Sequence, residues 1–153
     1  AVWSFGDNFG VSLALSDNGE VLAVGQHGNV KTFELRSKFL SAGVMGPDIP
    51  FFANGGKSNE APSLSLSSDG RVLILGNFDE DYNYQINGKD NVGVTLVYHF
   101  DDDDLKWRQF GDDLKQTSSS EDFGHAVAIS ADGTELAIAA SCDGGCTFVY
   151  RLE

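Results

Sequence analysis

Apolar and polar residues alternate in three segments of the chain that share one pattern. Residues 13–25 read LALSDNGEVLAVG, residues 64–76 read LSLSSDGRVLILG, and residues 127–139 read VAISADGTELAIA. The serines and glycines of the three segments coincide without gaps, at separations of 51 and 63 residues. Such ungapped matches predict one structural unit that occurs three times along the chain.

Each of these segments predicts a β-hairpin. Apolar residues alternate before the turn, so the first strand should have one buried face. The alternating residues are Leu13 and Leu15, Leu64 and Leu66, and Val127 and Ile129. The turn reads Ser-x-Asp/Asn-Gly, in which short polar side chains bond the local backbone and Gly adopts the positive φ of a short hairpin. After the turn, residues 21–24, 72–75 and 136–138 are almost wholly apolar, which predicts a second strand buried on both faces.

A third strand is expected after each hairpin, at residues 30–35, 94–100 and 147–152. The sequences VTLVYHF and CTFVYRL, which supply the last two of these strands, are visibly related. The three hairpins therefore extend into units of at least three strands.

A fourth strand is marked by a Trp followed by a Gly, as in WRQFG around Trp107 and WSFG around Trp3. Residues 39–52 contain no clear equivalent. We expect Trp3 and Trp107 on equivalent outer strands, with Phe9 and Phe123 in equivalent pockets between neighbouring units.

These strands predict an all-β fold of three β-propeller-like blades in a single domain spanning residues 1–153. The expected repeats are about 7–52, 53–111 and 112–153, and residues 1–6 form a strand that would complete the last blade. Complete propellers have about 4–8 blades, and an open array leaves strand edges and apolar flanks exposed. Three solutions follow: a homodimeric ring of six blades, a compact body of three blades, or docking into a larger assembly.

The chain is acidic, with 10 Lys and Arg residues against 23 Asp and Glu residues and a net charge of −13. This charge repels nucleic-acid phosphates and anionic lipids, so no nucleic acid is expected as a partner. Other protein subunits, with a basic surface, are the expected partners. The sequence contains no apolar run of the ~20 residues that a membrane helix requires, so no transmembrane segment is predicted.

The repeated motifs resemble a known family. Phe-Gly before an alternating strand, Ser-x-Asp-Gly, an LAVG-like strand and a later V-x-V-Y strand are similar to the FG-GAP repeats of integrin α-chain propellers. Divergent tandem versions occur in predicted diatom and related algal proteins. The resemblance implies a fold more than an activity. The family often carries calcium loops of the form Asp-x-Asp-x-Asp-Gly between its second and third strands.

Only residues 77–91 form a long acidic loop at that place in the repeat. Asp79, Asp81 and Asn83 resemble the start of a calcium loop, but Tyr84 occupies the position where Gly is expected. We therefore predict no metal site and no cofactor. Asp79 and Asp81 are instead candidate partner contacts.

The other candidate partner contacts are Phe51 and Phe52, an apolar pair that interrupts the repeat pattern. Asp101–Asp104, four consecutive carboxylates directly after a strand, predict a solvated turn that blocks edge pairing, with contact to a basic partner as the alternative. His27, His99 and His125 lie on different repeats and favour packing or solvent exposure over catalysis.

Cys142 and Cys146 flank Asp-Gly-Gly at a strand-to-strand turn, where a cross-strand pair can meet the Cα separation of ~4.4–6.8 Å that a disulfide requires. They are a disulfide candidate, with two free thiols as the alternative. Two cysteines without a nearby pair of histidines supply too few ligands for zinc.

No nucleophile elbow, phosphate-binding loop, zinc-protease motif or dinucleotide fingerprint is present, so no catalytic residue is predicted. The sequence favours a non-catalytic protein-interaction module, as an accessory subunit of a larger complex. The alternatives are an extracellular adhesion or ligand-binding propeller that uses calcium, and a small hydrolase. The algal resemblance favours a plastid or a secreted location over the plain cytosol. The first residue, Ala1 rather than Met, fits removal of a leader and also fits a trimmed chain.

Overall fold

The structure is a computed structural model, and it describes residues 9–26, 28–36, 41–50, 62–77, 93–115, 121–142 and 144–153. All regular elements in these ranges are β-strands. The strands are β1 (Ser12–Leu15), β2 (Val21–Gln26), β3 (Asn29–Arg36), β4 (Ser41–Val44), β5 (Ile49–Pro50), β6 (Ser63–Leu66), β7 (Val72–Asn77), β8 (Val94–Asp101), β9 (Lys106–Gln109), β10 (Glu121–Ile129), β11 (Glu135–Ser141) and β12 (Cys146–Arg151).

The strands form three antiparallel sheets that follow one another along the chain. Sheet 1 has the order β1-β2-β3-β4 with β5 also paired to β3, sheet 2 has the order β6-β7-β8-β9, and sheet 3 has the order β10-β11-β12. Each sheet is a meander of sequential neighbours, as in a propeller blade. The prediction of an all-β chain with propeller-like antiparallel sheets is confirmed, whereas the number of blades in a complete ring stays a prediction.

Each sheet has a front face and a back face, which we define by the first hairpin strand. Leu13 and Leu15 of sheet 1, Leu64 and Leu66 of sheet 2, and Val127 and Ile129 of sheet 3 lie on the front faces. The intervening positions, such as Ala14 and Ala23, lie on the back faces. The back face of one sheet packs against the front face of the next.

Two apolar cores result from this packing. The first lies between sheets 1 and 2, and its buried members are Ala23, Val30, Ile49, Leu73, Leu75, Val94 and Leu96. The second lies between sheets 2 and 3, and its buried members are Ile74, Val97, Phe123, Leu136, Ile138 and Ala140. Sheet 2 is therefore covered by a sheet on both faces, whereas among the described residues sheets 1 and 3 each have a neighbouring sheet on one face.

The three hairpin turns share one hydrogen-bond pattern centred on the serine. The Ser67 hydroxyl donates to the Asp69 carboxylate at 2.6 Å and accepts a bond from the Val72 amide at 2.9 Å. Ser16 and Ser130 make the equivalent bonds at the same distances of 2.6 and 2.9 Å. The serine thus satisfies the amide that the tight turn would otherwise leave without a partner.

The glycine of each turn has the positive φ that the sequence predicts. Gly19, Gly70 and Gly133 have φ values of +70°, +69° and +73°, and each amide donates to the carbonyl of the turn serine at 2.8–3.0 Å. The prediction that these glycines occupy equivalent turns of three antiparallel hairpins is confirmed.

Two of the three turns carry a carboxylate that this geometry holds in its ionised form. The Ser130 hydroxyl and then the Thr134 side chain lower the pKa of Asp132 below its usual value. Partial burial raises the pKa of Asp69, but bonds from Ser67 and the Arg71 amide outweigh it, and the net shift is downward. The equivalent residue of the first turn, Asn18, is neutral.

We expect these two carboxylates to make the fold less stable at acid pH than at neutral pH. A carboxylate whose pKa is lowered by folding stabilises the fold above its unfolded pKa of about 3.9, and this contribution is lost as the pH falls through the folded value. Asp69→Asn with Asp132→Asn should therefore reduce the loss of unfolding free energy between about pH 6 and pH 3. Asn18→Asp should increase that loss. Urea unfolding at several pH values measures both, and parallel curves for all variants would contradict the prediction.

The sequence prediction for the first strand of sheet 1 is wrong. Leu13 and Leu15 were expected to form its buried face, but they are 62% and 56% exposed, whereas Ala14 packs against the first core. Leu64 and Leu66, at the same positions of sheet 2, pack against that core. The exposure differs because Leu64 and Leu66 pack against sheet 1, whereas the described residues contain no sheet that packs against the front of sheet 1.

The prediction that every second strand is buried on both faces is wrong for sheet 3. Along β11, buried Leu136, Ile138 and Ala140 alternate with Ala137 and Ala139, which are partly exposed. No described sheet lies behind sheet 3 to cover the second set.

The Trp and Phe predictions are confirmed in part. Trp107 lies on β9, the outer strand of sheet 2, and its indole N–H donates at 2.8 Å to the buried hydroxyl of Thr32 in sheet 1. Phe123 is fully buried in the second core. Phe9, however, packs edge-on against Phe33 at a centroid distance of 6.3 Å, where the described residues place no second sheet. Trp3 lies outside the described residues.

Candidate interaction surface

The front face of sheet 1 exposes apolar side chains on its first strand, β1, and its outer strand, β4, whereas Val24 and Phe33 at the centre of this face are each only 2% exposed. Leu15 pairs with Leu22, Leu22 with Phe33 and Phe33 with Val44, so these side chains share this face. Leu13, Leu15 and Val44 are each more than half exposed, and Val11, which precedes β1, is 56% exposed. Large apolar groups with this exposure mark sites of association more often than single scattered residues do.

The back face of sheet 3 has no described sheet packed against it. Its most exposed apolar residue is Val149, at 72%, opposite the small Ala137. Glu135 occupies the position of Val21 in sheet 1 and Val72 in sheet 2, and it forms an ion pair with Arg151. Small side chains and a charged pair thus occupy this face, and the front face of sheet 1 likewise carries an ion pair, between Lys31 and Asp48.

The carboxylate run at Asp101–Asp104 forms the turn between β8 and β9. Asp101 accepts the amides of Asp103 and Asp104 at 3.0 and 3.2 Å. Arg108 donates to Asp101 at 2.7 Å and also pairs with Asp104, and these bonds lower the pKa of Asp101. Asp102 pairs with Arg71 at 3.0 Å. The run is therefore a solvated turn in which three of the four carboxylates already have cationic partners.

Cys142 and Cys146 lie where β11 turns into β12, and the structure joins them in a disulfide with a Cα–Cα distance of 5.8 Å. Asp122, whose φ is +57°, accepts a bond from Ser141 at 2.8 Å beside this turn. A Cα–Cα distance of 5.8 Å lies within the range that a disulfide requires, so the two cysteines can bond without moving the strands. The oxidised state in the purified protein stays a prediction.

We expect the purified protein to contain no free thiol when it is prepared without reductant. The separation of four residues closes a small loop, so reduction should change the stability only modestly. Thiol counting under denaturing, non-reducing conditions measures the state directly. Two free thiols would contradict this expectation.

Several residues named from the sequence lie outside the described residues. These are Phe51, Phe52, Asp79, Asp81 and His27. Within the described ranges, no group of three or more His, Cys, Asp and Glu side chains could hold a metal ion. His99 stacks on Phe110 at a centroid distance of 4.4 Å, and His125 is exposed. The described part of the chain also contains no helix long and apolar enough to cross a membrane.

Sequence reasoning missed two parts of this surface. The strand β4 (Ser41–Val44), which contributes Val44, lies in a region where the Trp-Gly marker of a fourth strand is absent. The patterns discussed above also passed over Glu135 of sheet 3, which stands where the other two copies have a valine. A position-by-position comparison of the three copies would have found it.

Comparisons with known proteins give a likeness of fold only. No family model matches the chain, and no curated protein matches it. A crystal structure of the tricorn protease is 16% identical with a TM-score of 0.47, over 92% of this chain and 13% of that one. The structure of a putative TolB from Agrobacterium tumefaciens is 13% identical with a TM-score of 0.36, over 97% of this chain and 60% of that one. The chain thus spans less than two thirds of either protein.

Proposed function

We propose that this protein is a non-catalytic interaction module that docks through the front face of sheet 1. One observation carries the proposal: Leu13 and Leu15 are more than half exposed, whereas the residues at the same positions of sheets 2 and 3 pack against a preceding sheet. Exposing such a strand costs hydrophobic free energy and leaves an edge that can aggregate, so a covering partner stabilises the chain.

The partner should be a protein with an apolar centre and a basic rim. The net charge of −13 disfavours acidic partners, and Asp17 and Glu20 are exposed in the turn that borders this face. We further propose an accessory role in a larger complex, in a plastid or an extracellular compartment. The resemblance to FG-GAP repeats stays part of this proposal.

The test is the composition of the complex that the tagged chain forms in its source cells. We expect the wild-type chain to elute well above its own 16.4 kDa, with at least one protein at a fixed stoichiometry. Leu13→Asp with Leu15→Asp should release that protein, because two carboxylates cannot be buried in an apolar contact without a large desolvation cost.

Leu105→Asp is the matched control. Leu105 is as exposed as Leu13, at 62%, but lies in the turn between β8 and β9. This variant should keep the complex intact. A wild-type chain that elutes as a monomer without stoichiometric partners, or partners that the front-face variant retains, would contradict the proposal. Turnover on a panel of hydrolase substrates would contradict its non-catalytic part.

A further inference from the structure

We propose that the disulfide between Cys142 and Cys146 is a redox-sensitive device that controls how tightly one corner of sheet 3 packs against sheet 2. When the bond is formed, it holds the turn between β11 and β12 and, through Ser141, the backbone at Asp122. When the bond is reduced, this corner opens while the rest of the fold stays closed. The device is independent of the proposed docking face, which lies on sheet 1.

The disulfide lies at an open turn, where a reductant can reach it. Both cysteines are partly exposed. Gly144 and Gly145, which lie between them, have φ values of +93° and +85°, and a Cβ atom on either would meet no other part of the chain within 4 Å. A small dithiol can therefore approach the sulfur atoms without unfolding the sheet.

The disulfide replaces a tight turn at this end of the hairpin. In sheet 1, strand pairing continues to Gln26 and Asn29, so a two-residue turn holds β2 and β3 together. In sheet 3, the pairing of β11 with β12 ends at Ala140 and Cys146, which are separated by five residues. A bond that can be reduced thus closes a turn that its backbone pairing leaves wider.

Ser141, the residue before Cys142, connects this turn to β10. Its hydroxyl donates to the Asp122 carboxylate at 2.8 Å. Asp122 has a φ of +57°, which is unfavourable for most residues other than glycine, and it lies where the register between β10 and β11 shifts. Fixing the end of β11 therefore helps to hold Asp122 in this conformation.

The residues that follow Asp122 form part of the contact between sheets 2 and 3. Phe123 is fully buried, and its ring lies 5.6 Å from that of Phe148 on β12, the strand that begins at Cys146. A Cβ atom on Gly124 would lie 2.9 Å from the Val94 carbonyl oxygen of sheet 2. The disulfide thus joins the ends of the two strands that hold this segment against sheet 2.

Reduction proceeds by thiol–disulfide exchange with a dithiol. A thiolate of the dithiol attacks one Sγ atom, forms a mixed disulfide and displaces the other cysteine as a thiolate, which takes up a proton. The second thiol of the dithiol then displaces the remaining cysteine. In total, two hydrogen atoms pass to the protein and the dithiol leaves as a disulfide. The reverse steps, with a disulfide as the oxidant, close the bond again.

Hydrogen exchange measured by mass spectrometry on the oxidised chain, and on the chain reduced with dithiothreitol, tests the device. We expect amides in residues 121–126 and 138–149 to exchange at least about tenfold faster after reduction, because local opening becomes easier there. Amides in the turns at residues 16–21 and 67–72 should exchange at an unchanged rate. Oxidised glutathione should restore the protection.

Three variants identify the path of the effect. Cys142→Ser with Cys146→Ser should exchange like the reduced chain, with or without dithiothreitol. Ser141→Ala should speed exchange of residues 121–126 in the oxidised chain, so that reduction adds less than it does in the wild type. Thr147→Ala, an exposed position on β12, is the matched control and should behave like the wild type.

Equal exchange in the oxidised and reduced chains would overturn the proposal. So would a uniform increase over all three sheets, because the disulfide would then stabilise the whole fold and control no particular contact. A bond that dithiothreitol does not reduce in the folded chain, or thiols that oxidised glutathione does not join, would also overturn it. None of these outcomes bears on docking through sheet 1, so the proposed function would stand.

Discussion

Phe123→Ala should lower the free energy of unfolding by about 3–5 kcal/mol, the usual cost of truncating a buried aromatic ring. Phe123 is fully buried in the second core, where its ring lies 5.6 Å from that of Phe148. The second core is formed by residues of sheets 2 and 3. The cavity left by the truncated side chain would therefore weaken the packing of sheet 2 against sheet 3. Urea unfolding at neutral pH measures the loss.

Phe9→Ala is the matched control, because Phe9 occupies the same Phe-Gly motif in the first repeat, where no second described sheet packs against it. Phe9 is only partly buried, so its truncation should cost less than half as much. If Phe123→Ala is too unstable to purify, Phe123→Leu should show a smaller loss in the same direction. Equal effects at Phe9 and Phe123 would contradict the placement of Phe123 between two sheets.

Gly76→Ala should destabilise the fold by about 2–3 kcal/mol through overpacking. Gly76 lies on the back face of sheet 2, and a Cβ atom there would lie 2.2 Å from the Gly124 carbonyl oxygen of sheet 3. That oxygen cannot move freely, because it accepts a bond from the Ser63 hydroxyl at 2.7 Å. The two sheets would have to separate to admit one methyl group.

Gly43→Ala provides the comparison for this substitution. Gly43 lies on β4, and a Cβ atom there would have no neighbour within 4 Å. Its replacement should leave the stability unchanged or raise it slightly, because Ala reduces the freedom of the unfolded chain. Thermal melts of the two variants, measured side by side, compare their stabilities. An unchanged melting temperature for Gly76→Ala would mean that sheets 2 and 3 are not in close contact at this point.

Local sequence patterns were enough to predict the three hairpins and their turns. The Ser-x-Asp/Asn-Gly turn is a local structure, in which Ser67 and Asp69 bond the backbone within a few residues of themselves. Its chemistry is therefore readable wherever it occurs along the chain. The same holds for the antiparallel pairing of strands that such a turn connects, because a tight turn fixes their register.

The sequence did not determine which faces of these strands are buried. Leu13 and Leu15 have the same pattern as Leu64 and Leu66, yet only the second pair packs against a neighbouring sheet. Alternation shows that one face is apolar, but burial depends on whether another sheet lies against it. That information belongs to the order of the sheets and is absent from any single repeat.

Contacts between sheets likewise appear only in the tertiary structure. The bond from Trp107 to Thr32 joins residues 75 positions apart, and no local pattern predicts it. Gly76 and Ala139 occupy the same repeat position, but only Gly76 faces the backbone of a following sheet. The sequence therefore specifies the repeated unit through short-range chemistry, whereas the stacking of units decides which residues are core and which remain available to a partner.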